Sequence, residues 1–213
     1  MPATKTPVRV RQLRTQVEAL VWVPPSRGMA DAVELYLLLS PAGRLPTPHR
    51  SGNEVFVPVS TREVAQRAAL LASSLGFQVR WSERLAGGSH VFVDVNLVLD
   101  GRGLSHLRAV LGKAMQSLGD PSVALRLAQD WAVARAVLSA GLVSGSLMRG
   151  TGLGITLRTP SLERARLCLV ASSTLGVAAA SPPSRIKEMR HRVSFDAENA
   201  AEMIARLLRS SSP

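Results

Sequence analysis

The sequence is poor in cysteine, in lysine and in aromatic residues. One cysteine among 213 residues excludes a disulfide framework and every metal site built from several cysteines. The four histidines lack the spacing of paired metal ligands, so no metal and no cofactor are expected. Three Trp, one Tyr and four Phe are too few for a platform that stacks single-stranded bases. No apolar run reaches about 18 residues and no secretory signal is evident at the start, so a cytoplasmic location is expected.

The charge is strongly one-sided. Lys and Arg number 26 against 15 acidic residues, which gives a formal net charge of +11. Only Lys5, Lys113 and Lys187 are lysines, so the positive charge is carried almost wholly by arginine. Arginine binds phosphate and guanine edges in a bidentate manner, and a basic surface is typical of nucleic-acid binders. The alternative is that arginine simply replaces lysine on a solvated surface.

The periodicity of the first half predicts helices and strands in alternation. Helices are expected over residues 9–23, 29–39, 60–75 and 104–118, and strands over residues 53–59, 77–83 and 90–97. Ser60 and Glu63 form a capping box, and Gly76 is the predicted C-terminal cap of the same helix. In the strand over residues 90–97, alternation places Asn96 on the outward, polar face.

The second half repeats this order. One long helix is predicted over residues 123–142, followed by strands over residues 143–148 and 152–158. A helix over residues 161–175, one strand over residues 185–195 and a last helix from residue 196 to near residue 209 complete the chain. The glycines of residues 150–154 are interpreted as a hairpin turn and not as a phosphate loop, since they lead into a strand.

One segment supports an internal repeat. Residues 71–77 (LASSLGF) recur as residues 170–177 (VASSTLGV), with one residue inserted, at the end of the middle helix of each half. The order of elements predicts an α+β fold of two pseudo-symmetric repeats. The expected organisation is a helical extension over residues 1–26, a first repeat over 27–119 and a second over 120–213.

Three segments resemble those of a known family. They are SAGLVSGSLM at residues 139–148, ITLRTPSLERAR at 155–166 and RIKEMRHRVSF at 185–195. Together they resemble the WhiA family of bacterial regulators of sporulation and cell division, which carry a degenerate LAGLIDADG homing-endonuclease domain. The resemblance implies saddle-shaped antiparallel sheets that lie on DNA, and two motif helices that pack through small residues. Those small residues would be Ala42, Gly43, Gly141, Ser144, Gly145 and Ser146.

The resemblance also implies what this chain does not do. An active LAGLIDADG nuclease needs a carboxylate at the end of each motif helix to hold divalent metal. Ser146 occupies that place in the second repeat, and Gly43 and Arg44 occupy it in the first, so no nuclease activity is expected. The family continues into a C-terminal helix-turn-helix domain. We expect this chain to lack that domain, which makes sequence-specific recognition doubtful.

The basic residues of the strands and hairpins are the candidate DNA contacts. In the fold that the resemblance implies, they lie on the sheets and would contact phosphates with little regard to sequence. They are Arg44, Arg80, Arg84, Arg149, Arg158, Arg185, Lys187, Arg190 and Arg192. Duplex DNA is the expected partner, with a transcription or division protein as a further one, and the protein is expected to be a monomer.

Two alternatives remain open from the sequence. The basic strands could be a solvated polar face, and the chain could be a protein-interaction module that no longer binds DNA. The helix arginines Arg62, Arg67, Arg164 and Arg166 are predicted to be exposed to solvent, and Cys168 is predicted to be a buried small residue.

Overall fold

The computed structural model describes residues 10–26, 28–40, 45, 47–86, 92–144, 154–187 and 190–209. Its helices are α1 Val10–Ala19 (continued by a 3-10 turn, Leu20–Trp22), α2 Met29–Leu39, α3 Arg62–Ser74, α4 Gly103–Gly119, α5 Pro121–Leu127, α6 Trp131–Val143, α7 Leu162–Thr174 and α8 Ala197–Leu208. Its strands are β1 His49–Ser51, β2 Glu54–Val59, β3 Val79–Ala86, β4 Phe92–Asp100, β5 Gly154–Thr159, β6 Ser181–Lys187 and β7 Arg190–Asp196.

The strands form two antiparallel sheets of matching topology. The first has the order β1-β2-β4-β3 and the second has the order β5-β7-β6. β2, β4 and β3 of the first repeat therefore correspond to β5, β7 and β6 of the second. The expected α+β architecture of two repeats is confirmed.

The middle helices of the two repeats end in the same way. Gly76 and Gly176 adopt positive φ angles of 87° and 67°, which a residue without a Cβ tolerates. The amide of Phe77 donates to the carbonyl of Ala72 at 3.0 Å, and that of Val177 donates to Ser172 at 2.8 Å. The offset between equivalent residues is 100 at every one of these positions. The expected one-residue insertion is therefore wrong, since Ser172 and not Ala171 corresponds to Ala72.

The same offset holds where these helices begin. The side chains of Thr61 and Ser161 accept hydrogen bonds from the amides of Val64 and Arg164, each at 3.3 Å. The N-cap of α3 is thus Thr61, one residue later than the predicted Ser60. A β-region backbone lets the hydroxyl of Thr61 reach the free amides of the first turn.

Two predicted elements are divided in the structure. The single helix expected over residues 123–142 is two helices, because the chain leaves the helix after Leu127 and Asp130 caps a new one by accepting from the amide of Val133. The single strand expected over residues 185–195 is the hairpin β6–β7. Of the strand expected over residues 143–148, Val143 ends α6 and Ser144 caps it, and the remaining residues lie outside the described part of the chain.

Helices α2 and α6 pack against each other in the centre of the molecule. Every residue of α2 from Ala30 to Leu39 is buried, and α6 is buried over most of its length. α3 and α4 pack against α2, while α7 packs against α6, and the described helices cover the face of each sheet that carries Leu97 or Leu157. The other face of each sheet is called here its outer face.

Candidate nucleic-acid interface

The outer face of the second sheet is polar and basic. Ile155, Leu157, Val193 and Phe195 point toward the helices and are at most 2% exposed. The alternate residues therefore share the outer face. They include Thr156, Arg158, Arg192 and Ser194, of which the two arginines are exposed.

Arg158 of β5 lies directly opposite Arg192 of β7 in the register of the sheet. Like charges at directly opposed positions repel each other and destabilise a sheet. An anion placed over the pair would remove that repulsion, since a guanidinium binds phosphate oxygens through two parallel hydrogen bonds. We call this surface the basic face.

The side chain of Arg192 is hydrogen-bonded to a neutral partner. Its Nε donates to the hydroxyl of Ser184 at 2.8 Å, and among the described residues no carboxylate lies within 4.0 Å of its guanidinium. Beside the arginine pair, the hydroxyls of Thr156 and Ser194 are 3.1 Å apart. Hydroxyl and guanidinium donors in this arrangement can contact several phosphate oxygens at once.

The hairpin places three further candidate residues around the same sheet. Lys187 and Arg190 are directly opposite each other, and Arg190 is two residues from Arg192, so both occupy positions of the basic face. Arg185 is opposite His191, which puts it at a position of the helix-covered face, on the exposed edge strand. The register thus puts Arg158, Lys187, Arg190 and Arg192 at positions of one face and Arg185 at a position of the other.

The outer face of the first sheet differs. Arg80 is ion-paired with Glu54 at 2.7 Å, and Arg84 lies opposite Asp94 in the register. Phe56 and Val98 are only 4% and 3% exposed on this face. The candidate Arg80 of the first sheet therefore already has an acidic partner.

The alternation of the strand predicts that the side chain of Asn96 is exposed to solvent, and the structure contradicts this expectation. Asn96 is buried on the outer face of the first sheet, between Pro58 and Ser82 in the register. Because β4 is an inner strand of its sheet, its outward side chains are flanked by those of β2 and β3.

Several candidates fall on residues outside the described part of the chain. They are Arg44, Arg149, Ala42, Gly43, Gly145 and Ser146. Gly141 is described, and the expectation that it lets the motif helices cross closely is wrong. A Cβ at Gly141 would meet the side chain of Leu157 on β5 at 3.5 Å and no atom of α2. Ser144 is half-buried and its hydroxyl donates to the carbonyl of Gly141 at 3.3 Å.

Polar side chains, and not only small residues, join the two motif helices, which are α2 and α6. Glu34 of α2 receives two hydrogen bonds from Arg67 of α3, at 2.7 and 2.8 Å, and one from the hydroxyl of Ser139 of α6, at 2.7 Å. Arg67 also donates to the carbonyl of Val23. Glu34 and Arg67 are each 3% exposed, so the expected exposure of Arg67 is wrong.

The sequence did contain a signal for this network. Glu34 stands in the otherwise apolar stretch AVELYLLL, and Arg135 stands in WAVARAVLSAG. A charge inside such a helix needs a partner, because an unpaired buried charge is very unfavourable. The partner residue, Arg67, could not be found from spacing alone.

Arg135 extends the buried polar region on α6. Its guanidinium donates to the carbonyl of Leu207 at 2.6 Å and lies 4.8 Å from the centre of the Trp131 ring. Burial lowers the pKa of Arg135, the negative charge of Glu34 raises it, and the positive charge of Arg67 lowers it. This region holds the repeats together beneath the sheets and is separate from the basic face.

The described ranges offer neither a metal site nor a membrane span. Within them, no three His, Cys, Asp or Glu side chains are grouped so that they could hold a metal ion. In the same part of the chain, no helix is long and apolar enough to cross a bilayer.

Known proteins resemble this chain in structure and not in sequence. No model of a known protein family matches it, and no curated protein sequence matches it. Full-length DUF199/WhiA from Thermotoga maritima is similar, with a TM-score of 0.57 and 11% identity over 93% of this chain. This chain spans 61% of the length of that protein.

The N-terminal LAGLIDADG domain of DUF199/WhiA matches along almost its whole length. The TM-score is 0.55 and the identity is 11%, over 98% of this chain and 95% of that one. I-DmoI in complex with DNA and Mn is also similar, at a TM-score of 0.48 and 11% identity, over 86% of this chain and 99% of that one. The resemblance expected from the sequence is confirmed at the level of the fold: the chain has the LAGLIDADG fold of the DUF199/WhiA N-terminal domain.

Proposed function

We propose that this protein binds the backbone of duplex DNA through the basic face of its second sheet and does not cleave the DNA. The observation that carries the proposal is the directly opposed pair Arg158 and Arg192. Two exposed guanidinium groups at directly opposed positions of neighbouring strands suit the phosphates of a nucleic-acid backbone. The proposed contact is independent of base sequence.

The first sheet contributes less to the proposed DNA binding. Arg80 is already paired with Glu54, and Asp94 and Asp100 are also at positions of that outer face. Binding would therefore be concentrated on one repeat, unlike a symmetric saddle in which both sheets contribute equally.

The lack of cleavage rests on the sequence after the motif helices. Residues 40–44 are Ser, Pro, Ala, Gly and Arg, and residues 144–148 are Ser, Gly, Ser, Leu and Met. Neither segment contains the carboxylate that metal-dependent hydrolysis requires. Asp31 and Glu34, the acidic residues of α2, are buried and hydrogen-bonded within the helical layer.

The biological setting follows from the resemblance to WhiA regulators. It extends the proposal to control of transcription in bacterial cell division or sporulation, with a monomeric protein acting at the nucleoid in the cytoplasm. A transcription or division protein would be the further partner.

Fluorescence anisotropy with a labelled random-sequence duplex, measured over a range of salt concentrations, tests the proposal. The double variant Arg158→Gln/Arg192→Gln should flatten the dependence of log affinity on log salt by roughly 0.9 for each phosphate that the protein no longer neutralises. The matched control is Arg62→Gln/Arg80→Gln, which removes the same charge from residues already ion-paired with Glu83 and Glu54.

The outcomes separate the two functions left open by the sequence. Equal salt dependence for both double variants would remove the basic face from the binding site. Absence of duplex binding by the unaltered chain at low salt would contradict the proposal and leave the protein-interaction function.

A further inference from the structure

A cavity of about 360 Å³ lies where the two repeats meet in the helical layer. Its walls come from α2, α4, α5, α7 and the loop between β5 and α7, so it belongs to the helical layer and not to the basic face. Tyr36, Ala124 and Leu167 provide a buried apolar wall. Met115 lines the cavity and is 48% exposed, so the space is open to solvent.

Arg164 is the unusual residue in this wall. The sequence predicted it to be exposed, but it is half-buried, with its guanidinium 5.2 Å from the centre of the Tyr36 ring. Within the described part of the chain, no carboxylate lies within 4.0 Å of this guanidinium. Burial lowers its pKa, because water is partly removed from the charged group.

The side chains next to Arg164 do not supply a counter-charge. Tyr36 is below its guanidinium and shares a side-chain hydrogen bond with it, and Cys168 is one helical turn away on α7. Burial raises the pKa of the Cys168 thiol to about 12, so the thiol is uncharged at neutral pH. Within the described part of the chain, this half-buried cation has no carboxylate in ion-pair contact.

We propose that this cavity binds a small monocarboxylate with an aromatic or aliphatic body. The carboxylate would pair with Arg164, whose planar guanidinium fits it through two parallel hydrogen bonds. The body would fill the apolar space between Tyr36, Ala124 and Leu167. The volume is at the lower end of the range of about 300–1,000 Å³ found for small-molecule sites.

The charge around the cavity favours a ligand with one negative charge over a ligand with two. Arg164 and Arg166 line it, and so does Glu163, which leaves a single net positive charge on the polar side. Hydrogen bonds from its own backbone amide and from Ser161 lower the pKa of Glu163, so its carboxylate is ionised at neutral pH. A phosphate dianion would be repelled by Glu163 more strongly than a carboxylate.

Calorimetric titration of the full chain with 1-naphthoate tests this site. The unaltered protein should bind one equivalent, and the uncharged 1-naphthamide should bind at least roughly tenfold more weakly, since it lacks the charge-assisted hydrogen bonds. Arg164→Gln should weaken naphthoate binding by roughly tenfold or more. Arg108→Gln, an exposed arginine of α4 that does not line the cavity, should bind as the unaltered chain does.

A second variant keeps the test valid if Arg164→Gln does not fold. Gly119 lines the cavity, and a Cβ there would meet no heavy atom within 4 Å. Gly119→Phe should therefore fold, as judged by circular dichroism, and lose naphthoate binding because the ring occupies the cavity.

Three results would overturn the proposal. They are absence of saturable naphthoate binding by the unaltered chain, equal affinity for naphthamide, and tighter binding of 1-naphthyl phosphate. The site does not depend on DNA binding, and the double variant Arg158→Gln/Arg192→Gln should titrate normally with naphthoate.

Discussion

The hydroxyl of Ser139 donates a 2.7 Å hydrogen bond to Oε1 of Glu34, which is 105 residues away in the other repeat. The same oxygen accepts from Nε of Arg67, so one carboxylate connects three helices. Glu34 thereby links the two motif helices, α2 and α6, to α3.

Removal of this carboxylate should strongly destabilise the protein. Glu34→Ala leaves Arg67 buried without a counter-charge, and we expect a loss of about 3–5 kcal/mol in the free energy of unfolding. Urea denaturation followed by circular dichroism measures it. The exposed pair of Glu54 and Arg80 gives the control, since Glu54→Ala should cost less than about 1 kcal/mol. Similar losses in the free energy of unfolding for both variants would show that the buried network stabilises the protein no more than the exposed ion pair does.

The N-caps of the two middle helices should contribute equally. Thr61→Ala and Ser161→Ala each remove the acceptor for an amide of the first turn, and each should lower stability by about 1 kcal/mol. Thermal unfolding of the two variants checks this. Ser60→Ala should change stability by less than about 0.5 kcal/mol, because Ser60 is exposed and is not the cap. A larger effect at Ser60 than at Thr61 would restore the capping-box interpretation.

Cys168 should be unreactive in the folded protein. The thiolate is the reactive form, and burial raises the pKa of this thiol from 9.0 to about 12. Labelling with a thiol reagent at pH 8 should be slow until denaturant is added. Fast labelling of the native chain would contradict the burial of Cys168.

The same thiol makes stability depend on pH at the alkaline end. Between pH 9 and pH 12 the unfolded chain has lost the proton that the folded chain retains. The contribution of Cys168 to stability is thus complete below pH 9 and falls as the pH rises through 12. Cys168→Ala should show a weaker decline in melting temperature over this window than the unaltered chain.

Supercoiled plasmid should remain intact in the presence of the protein and Mg²⁺ or Mn²⁺. The sequence that follows each motif helix contains no carboxylate, so we expect no metal-activated water at that place. Gel electrophoresis after long incubation checks the prediction. Nicking that a chelator abolishes would overturn it.

The accuracy of the sequence predictions depended on local signals. The bounds of α2 agree with the prediction, because Gly28 and Pro41 flank an apolar run. The ends of α3 and α7 were also predicted closely, because a Leu-Gly pair marks each of them. These features are determined by backbone preferences within a few residues.

The errors occurred where distant contacts decide the structure. Arg67 was expected in solvent because a helical pattern counts every arginine as polar, and only Glu34, 33 residues away, explains its burial. The strands β6 and β7 were predicted as one strand because the sequence between them contains no glycine or other turn signal. The basic face could be predicted only in part, since the pairing of Arg158 with Arg192 requires the register of the sheet.

The strand β6 has a consequence for how this protein behaves at high concentration. β6 is at the edge of the second sheet, and two of its residues, Pro182 and Pro183, have no amide proton to donate. Many sheets aggregate when a strand from another molecule pairs with an edge strand. Along β6 such a strand could not form a continuous ladder of hydrogen bonds. The hairpin that presents the basic face is thus also protected against edge-to-edge association of copies of the chain.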